Sequence, residues 1–275
     1  MIPTHSSDKT NRREIIVNRL STLNEYDFSE PHRHNYFEFF CFINGDGNHV
    51  VDFNKFQIQS YSIHIVGPGQ VHQMNRELNS NGFVYLFELD AVNGPAEIME
   101  FLFDHVCYDV DEVSPIYTID KKDQESFVML TEMIWEAHSS SGNLKNLTIQ
   151  NAIQSLCIKC MDSDQERGDK RKSEYTAFRK LLFKEFRTIK KVKDFADQLN
   201  ITEKALNEMV KTQTGKSTSQ VIYNQIILEA KRLLQTGMSA KEVAYDLNFD
   251  DPGHFSKFFK SKAGCSPSEF RNVHA

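Results

Sequence analysis

Hydrophobic and polar positions change their period along the chain. Between about residues 30 and 90 apolar side chains come in short runs, YFEFFCFI at 36–43 and GFVYLFEL at 82–89, separated by Gly, Asn and Asp. Aromatic and β-branched runs bounded by turn formers predict strands, with further ones expected at 48–53, 56–59 and 61–66 and a break at Gly67-Pro68-Gly69. The NGDG stretch at 44–47 predicts a hairpin turn, because those residue types tolerate positive φ. Short strands at this spacing, with no helical pattern between them, predict a small barrel or jelly roll.

From Pro95 the period lengthens. IMEFLF at 98–103 predicts a helix, 106–120 with Pro115 an irregular stretch, and Phe127, Leu130, Met133, Ile134 and Trp135 a second helix. Over 144–161, residues Leu144, Leu147, Ile149, Ile153, Leu156, Ile158 and Met161 are apolar on more than one face. Such a helix either packs wholly on the barrel or shares its second face with another copy of the chain. SDQERGDKRKSE at 163–174 is polar or charged apart from its glycine and predicts a linker.

Beyond the linker the pattern is helical throughout. Phe178, Leu181, Leu182 and Phe186 mark one amphipathic helix, and Val192, Phe195, Ala196 and Leu199 the next. Asn200 turns the chain, Thr202 caps a third helix, and Leu206, Met209 and Val210 anchor it. A long helix from about Ser217 to Gln235, stopped near Gly237, leads to SAKEVAYDLNFDDPGHFSKFFKSKAGCSPSEFR at 239–271. There Ser239 and Glu242 predict a capping box, Asn248 a left-handed stop, Phe249 a plug between two helices, and Asp251-Pro252 a new helix start. On that last helix Phe255, Phe258 and Phe259 face inward, leaving His254, Ser256, Lys257 and Lys260 outward, which suits a DNA major groove.

Charge sharpens this division. Residues 1–173 carry a net −11 and residues 174–275 a net +5, which together make the −6 of the whole chain. Only the basic part is suited to meet a polyanion. Five cysteines in 275 residues make no disulfide framework, and Cys157-x-x-Cys160, inside a helical apolar pattern, predicts buried reduced thiols. The N-terminal stretch lacks the apolar core of a signal peptide and no later run suits a membrane helix, so a cytoplasmic protein is expected.

VAYDLNF, DPGHFSKFFK and GCSPSEFR, at their spacing, closely resemble the second helix-turn-helix and closing helix of the AraC/XylS family of transcription regulators, over about a hundred C-terminal residues. The resemblance implies an α+β chain: a cupin-like or jelly-roll β-barrel with dimerisation helices over 1–162, a linker at 163–174, and an all-α DNA-binding domain of two helix-turn-helix motifs joined by a long helix over 175–275. It carries base-facing positions onto Lys204, Asn207 and Glu208 in the first module and onto Gly253, His254 and Lys257 in the second, with Lys211, Ser256 and Lys260 as further DNA-binding residues. This sequence departs from the family at Glu208, where a basic residue is usual, and at Val210, where an aromatic is usual. Double-stranded DNA, a small-molecule effector, a second copy of the chain and RNA polymerase are the implied partners, with no cofactor and no catalytic residue.

PHRHNYFE and PGQVH resemble the two motifs of the cupin barrel, in which His32, His34, Glu38 and His72 would converge on a metal. Three imidazoles and a carboxylate suit iron, manganese, nickel or zinc. AraC-type regulators often carry the same pair, and there the resemblance implies barrel packing or the lining of a small-molecule pocket. Tyr26 also stands where the full cupin motif has glycine. The expectation is therefore an effector pocket at these four residues, no metal, and less than one equivalent of transition metal in the purified protein. Two rival readings are a metal-dependent cupin enzyme, which has no use for two helix-turn-helix units, and a ligand-independent regulator whose barrel only oligomerises.

Overall fold

The structure is a computed structural model that describes residues 4–5, 15–20, 30–107, 113–163 and 173–274. Contacts divide the chain into two compact units, Ile2–Gly168 and Asp169–Ala275. The centre of the predicted linker, residues 164–172, and Tyr26 lie outside the described residues.

The first unit is built on two five-stranded sheets. One has the order β1-β3-β8-β5-β6, from strands Thr4–His5, His32–His34, Val71–Arg76, Gly47–Val51 and Asn54–Gln57; the other has the order β10-β7-β4-β9-β2, from Ile116–Thr118, Ser62–Val66, Phe37–Asn44, Asn81–Phe87 and Ile16–Arg19. All strand pairs are antiparallel except β1 with β3. Alternation sets which side chains meet between the sheets. Phe40 and Phe42 of β4, Val66 of β7 and Val84 of β9 join Val51 of β5 and Met74 of β8 in one buried cluster with Leu20 and Ile58.

The strands expected at 36–43, 48–53, 56–59, 61–66 and 82–89 are present with ends shifted by up to two residues, β2, β3, β8 and β10 come in addition, and the turn at 44–47 does not join a hairpin. β4 pairs with β7 and β9, whereas β5 pairs with β6 and β8, so NGDG carries the chain from one sheet to the other. Gly47, at φ +114°, is needed there, since a Cβ would stand 2.2 Å from the Asn75 carbonyl oxygen. The two-residue hairpin lies one turn later at Asp52-Phe53, with Asp52 at φ +50° between the paired Val51 and Asn54. Turn-forming residue types show that the chain turns; they do not say which sheet receives the next strand.

Helices cover the second sheet. α1 (Leu89–Val92) and α2 (Ala96–Cys107) follow β9, and β10 occupies part of the stretch expected to be irregular. α3 (Gln124–Ser139) and α4 (Lys145–Ser163) then pack on each other. Tyr85 on β9 donates its hydroxyl to the Thr131 carbonyl of α3 at 3.4 Å. α4 buries Ile149, Ala152, Ile153, Leu156, Cys157 and Cys160 and leaves Leu144 beside it, with its own Leu147 and Ile158, exposed. Cys157 and Cys160 are free thiols, and burial pushes the Cys157 thiol well above the ordinary range.

The second unit is helical: α5 (Ser173–Glu185), α6 (Val192–Gln198), α7 (Glu203–Thr214), α8 (Thr218–Gln235), α9 (Ala240–Asp246), α10 (Pro252–Ala263) and α11 (Pro267–His274). Phe178, Leu182, Phe186, Phe195, Leu206, Val210, Val243, Leu247, Phe255 and Phe259 are buried, with Leu181, Met209 and Phe258 half-buried. No helix among the described residues is long and apolar enough to cross a membrane.

Candidate DNA interface and barrel cluster

Two helix pairs in the second unit have the same local construction. α6 ends in a turn at Asn200, φ +55°, and α7 starts at Thr202, whose hydroxyl accepts from the Ala205 N–H at 3.1 Å. α9 ends in a turn at Asn248, φ +53°, and α10 starts at Asp251, whose carboxylate accepts from the His254 N–H at 2.8 Å with Pro252 in the first turn. In each turn asparagine takes the left-handed conformation that most L-residues resist, and a polar cap satisfies an amide left over at the next helix start. Capping boxes start α8 at Ser217 and Gln220 and α9 at Ser239 and Glu242, and Ser266 and Glu269 exchange the same two bonds before α11.

These turns fix which faces of α7 and α10 look outward. On α7, Lys204, Glu208 and Lys211 are exposed, while Asn207 is half-buried and donates its amide to the Glu203 carbonyl at 3.0 Å. Lys204 and Glu208 pair along the helix at 3.9 Å, so the glutamate partly cancels its neighbour's charge. On α10, Gly253, His254, Lys257 and Lys260 are exposed; Ser256 is half-buried and donates to the Pro252 carbonyl at 2.9 Å. Phe249 fills the space behind the turn, its ring 5.3 Å from Phe255 and 5.4 Å from Phe258 between centroids.

The first unit concentrates a different chemistry between its sheets. His32 and His34 on β3, His49 on β5 and His72 on β8 come from one sheet; Glu38 on β4 and His64 on β7 come from the other, and all six are buried. Of these, sequence reasoning named His32, His34, Glu38 and His72 and missed His49 and His64. Strand parity held the signal: His49 shares a face with Val51, and His64 with Val66, both of the barrel core.

His34 Nε2 lies 3.2 Å from His72 Nε2 and 3.4 Å from Glu38 Oε2, and His72 Nε2 lies 3.3 Å from the same oxygen. The Glu38 carboxyl is 0% exposed, and neither of its oxygens accepts a well-formed hydrogen bond among the described residues. His34 Nδ1 donates to the Tyr36 carbonyl at 2.7 Å and His32 Nδ1 to the Glu30 carbonyl at 2.9 Å. A carbonyl can only accept, so each ring carries its hydrogen on Nδ1 and, when neutral, presents a lone pair at Nε2.

The donor set fits the metal of the cupin motif. Atoms bound at about 2.0–2.2 Å to one ion stand roughly 3.0–3.5 Å from each other in tetrahedral or octahedral arrangements, which is the spacing of these three. His32 brings a further ligand atom within 4.8 Å of those of Glu38 and His72.

Behind His72 the histidines continue. His72 Nδ1 lies 3.2 Å from His49 Nε2, and His49 Nδ1 lies 3.0 Å from His64 Nδ1, with the last two rings nearly parallel at 9°. Burial, then the neighbouring His64 and His32, hold the His49 imidazole well below its ordinary range, and burial takes His64 down to about 3. Burial thus favours the neutral form of both rings. Phe40 meets His49 edge-on at 5.5 Å and Phe42 meets His64 at 5.1 Å, closing the chain off in apolar surroundings.

A sequence family described as "Helix-turn-helix domain" matches residues 195–272, wholly inside the second unit. The chain is 25% identical over 256 residues to the uncharacterized HTH-type transcriptional regulator YfiF of Bacillus subtilis, covering 88% of this chain and 79% of that protein. It is also 25% identical over 248 residues to the HTH-type transcriptional activator RhaR of Mannheimia succiniciproducens, covering 82% of this chain and 86% of that one. Among solved structures it is similar to ToxT of Vibrio cholerae, at 13% identity and a TM-score of 0.42, over 94% of this chain and 98% of that chain.

Proposed function

Starting from the fact that the chain is a DNA-binding transcription regulator of the AraC/XylS type, we propose that α7 and α10 enter successive major grooves of an operator while the first unit receives a signal and joins two copies. One observation carries the reading: two helices with the same Asn-turn and polar-cap construction present exposed polar faces from a unit of net positive charge. A helix fits the major groove, and two on one scaffold address two turns of one duplex.

Within that reading the modules differ. Lys257, on α10 one turn past the close-approaching Gly253, is suited to a guanine edge, and His254 and Lys260 flank it. On α7 the acidic Glu208 opposes the phosphates unless it meets a cytosine amine, so we assign most base discrimination to α10 and positioning on the backbone to Lys204 and Lys211. Asn207 and Ser256 are secondary contacts, each first having to leave a bond within its own helix.

Self-association is read from α3 and α4, where Met129, Met133, Leu147 and Ile158, with Leu144 just before α4, are exposed apolar side chains. The effector site is assigned to the region of His32, His34, Glu38 and His72. In this reading the chain is no enzyme; it acts in the cytoplasm at promoters, where RNA polymerase is a further partner. In vitro selection from random duplexes with the full-length protein tests the reading. Enrichment of one motif with two half-sites about one helical turn apart is expected; enrichment of none over input would overturn it.

A further inference from the structure

We propose that the first helix-turn-helix module is the compliant one: α6 and α7 open locally in the free chain more readily than α9 and α10, and α7 closes onto its unit when a duplex holds it. The proposal deepens the reading of α7 and α10 as groove-entering helices. It rests on that reading for the step on DNA and on packing alone for the free chain.

The two modules can be compared position by position, because they share one length and one set of caps. α7 and α10 are 12 residues each, and each is followed by a left-handed glycine, Gly215 at φ +68° and Gly264 at φ +83°. Counted from the caps Thr202 and Asp251, Leu206 corresponds to Phe255, Met209 to Phe258 and Val210 to Phe259. The residue after each turn asparagine donates its N–H to the helix before it, Ile201 to the Ala196 carbonyl at 3.1 Å and Phe249 to the Ala244 carbonyl at 2.8 Å. At all four positions the second module has phenylalanine and the first an unringed side chain.

Those rings tie α10 to its neighbours. Phe255 lies 5.8 Å from Phe259, Phe259 lies 5.8 Å from Phe270 of α11, and Phe258 lies 5.5 Å from Tyr223 of α8. Phe249 behind the second turn is 8% exposed, whereas Ile201 behind the first is 37% exposed. Closing α7 therefore removes less apolar surface from water than closing α10, and such burial is the main term that holds a short helix to its unit. Buried polar atoms widen the difference. Gln213 Oε1 near the end of α7, Thr218 Oγ1 at the start of α8 and the Tyr175 hydroxyl on α5 are buried with no hydrogen-bond partner among the described residues, against Gln235 Oε1 at the far end of α8. Opening gives such an atom water, a gain of about tenfold in the equilibrium for each. Local opening follows the weakest packing. A duplex that fits α7 supplies the contacts its unit withholds, so closure and binding are linked. At a poor first half-site α7 withdraws at small cost while α10 keeps the chain on the duplex.

Amide hydrogen exchange of the full-length chain tests the free state. Amides of α7, matched with those of α10 by distance from the cap and corrected for intrinsic rates, should be protected about 10-fold less or lower still. Equal protection in the two helices, or weaker protection of α10, overturns the proposal. On adding a duplex with the selected site, protection should rise more in α7 than in α10; an equal rise overturns closure on DNA. Thr218→Val keeps the side-chain shape and removes the orphan hydroxyl. It should raise α7 protection severalfold, leave α10 as it was, and make the chain less tolerant of base changes in the first half-site. Unchanged α7 exchange in the folded variant overturns the assigned cause, and Gln213→Met repeats the comparison at the other orphan if Thr218→Val does not fold. If the chain binds no duplex, the groove-entering reading fails by itself, and exchange in the free chain still decides whether the first module opens first.

Discussion

Arg187 reaches Glu229 with a 2.6 Å hydrogen bond from its guanidinium, and from its Nε lies 3.3 Å from Asp246. It stands between α5 and α6, Glu229 is on α8, and Asp246 ends α9, so one side chain joins the first module to the connecting helix and to the second module. Three residues on, Lys190 donates to the Asn248 carbonyl at 2.5 Å and lies 4.0 Å over the Phe249 ring. Both contacts end at the second turn, and together they tie the segment between α5 and α6 to it, which constrains the spacing of the two modules. The Glu229 side chain is 6% exposed and that of Arg187 44%, so the loss on truncation comes mainly from the buried carboxylate.

Arg187→Met should therefore destabilise the second unit by roughly 1–3 kcal/mol, discounted for the half-exposed guanidinium. For a unit of this size each kcal/mol lowers the midpoint by about 4–8 °C. A thermal melt checks the stability. A site panel with altered half-site spacing checks the geometry: the variant should discriminate spacings less than the native chain.

Residues 174–275, with their net charge of +5, should bind DNA without the first unit, and affinity should fall steeply with salt. Titration of labelled duplex at two salt concentrations measures this. A fragment that folds but shows no salt-sensitive binding, while the full chain does, would refute the assignment of DNA binding to this unit.

The modules should respond differently to single substitutions. Lys257→Ala should lose about 1–3 kcal/mol at one base pair and flatten the preference there. Glu208→Ala should leave specificity nearly unchanged and raise general affinity, because it removes an exposed negative charge from the α7 face and frees Lys204 from its 3.9 Å pair. Binding to single-base variants of the selected site separates the two. Specificity lost with Glu208→Ala and kept with Lys257→Ala would reverse the ranking.

The cap and turn of the second module carry their own expectations. Asp251→Ala should cost about 1 kcal/mol by orphaning the His254 amide. Asn248→Val should cost on the order of 1–3 kcal/mol, because a β-branched residue resists φ +53°. Chemical denaturation of the native chain and both variants gives the two numbers, with no change in denaturant slope expected.

Acid should weaken the capping box of α9. The Ser239 amide and hydroxyl, donating to the Glu242 carboxylate, hold it below its ordinary range. A depressed carboxylate contributes stability above its unfolded value and loses it as pH falls through the folded one. The difference in melting temperature between the native chain and Glu242→Ala should accordingly be full at neutral pH and shrink below the ordinary carboxylate range.

The sequence by itself determined the second unit almost completely. Its helices are short and locally specified: Thr202, Ser239 and Asp251 cap where they stand, Asn200 and Asn248 turn where they stand, and Phe255 and Phe259 lie on one face by helical period alone. In the first unit the strands were legible from their residue types, yet the destination of NGDG was not, because a turn fixes local direction while sheet membership depends on partners far along the chain. The same reason separates the two halves of the histidine cluster. His32, His34 and Glu38 are near neighbours in sequence and form a readable pattern with His72. His49 and His64, fifteen positions apart on strands of different sheets, come within 3.0 Å only when the sheets close on each other. Strand parity placed both rings inward, but only tertiary packing decided that they meet, and that one of them meets His72.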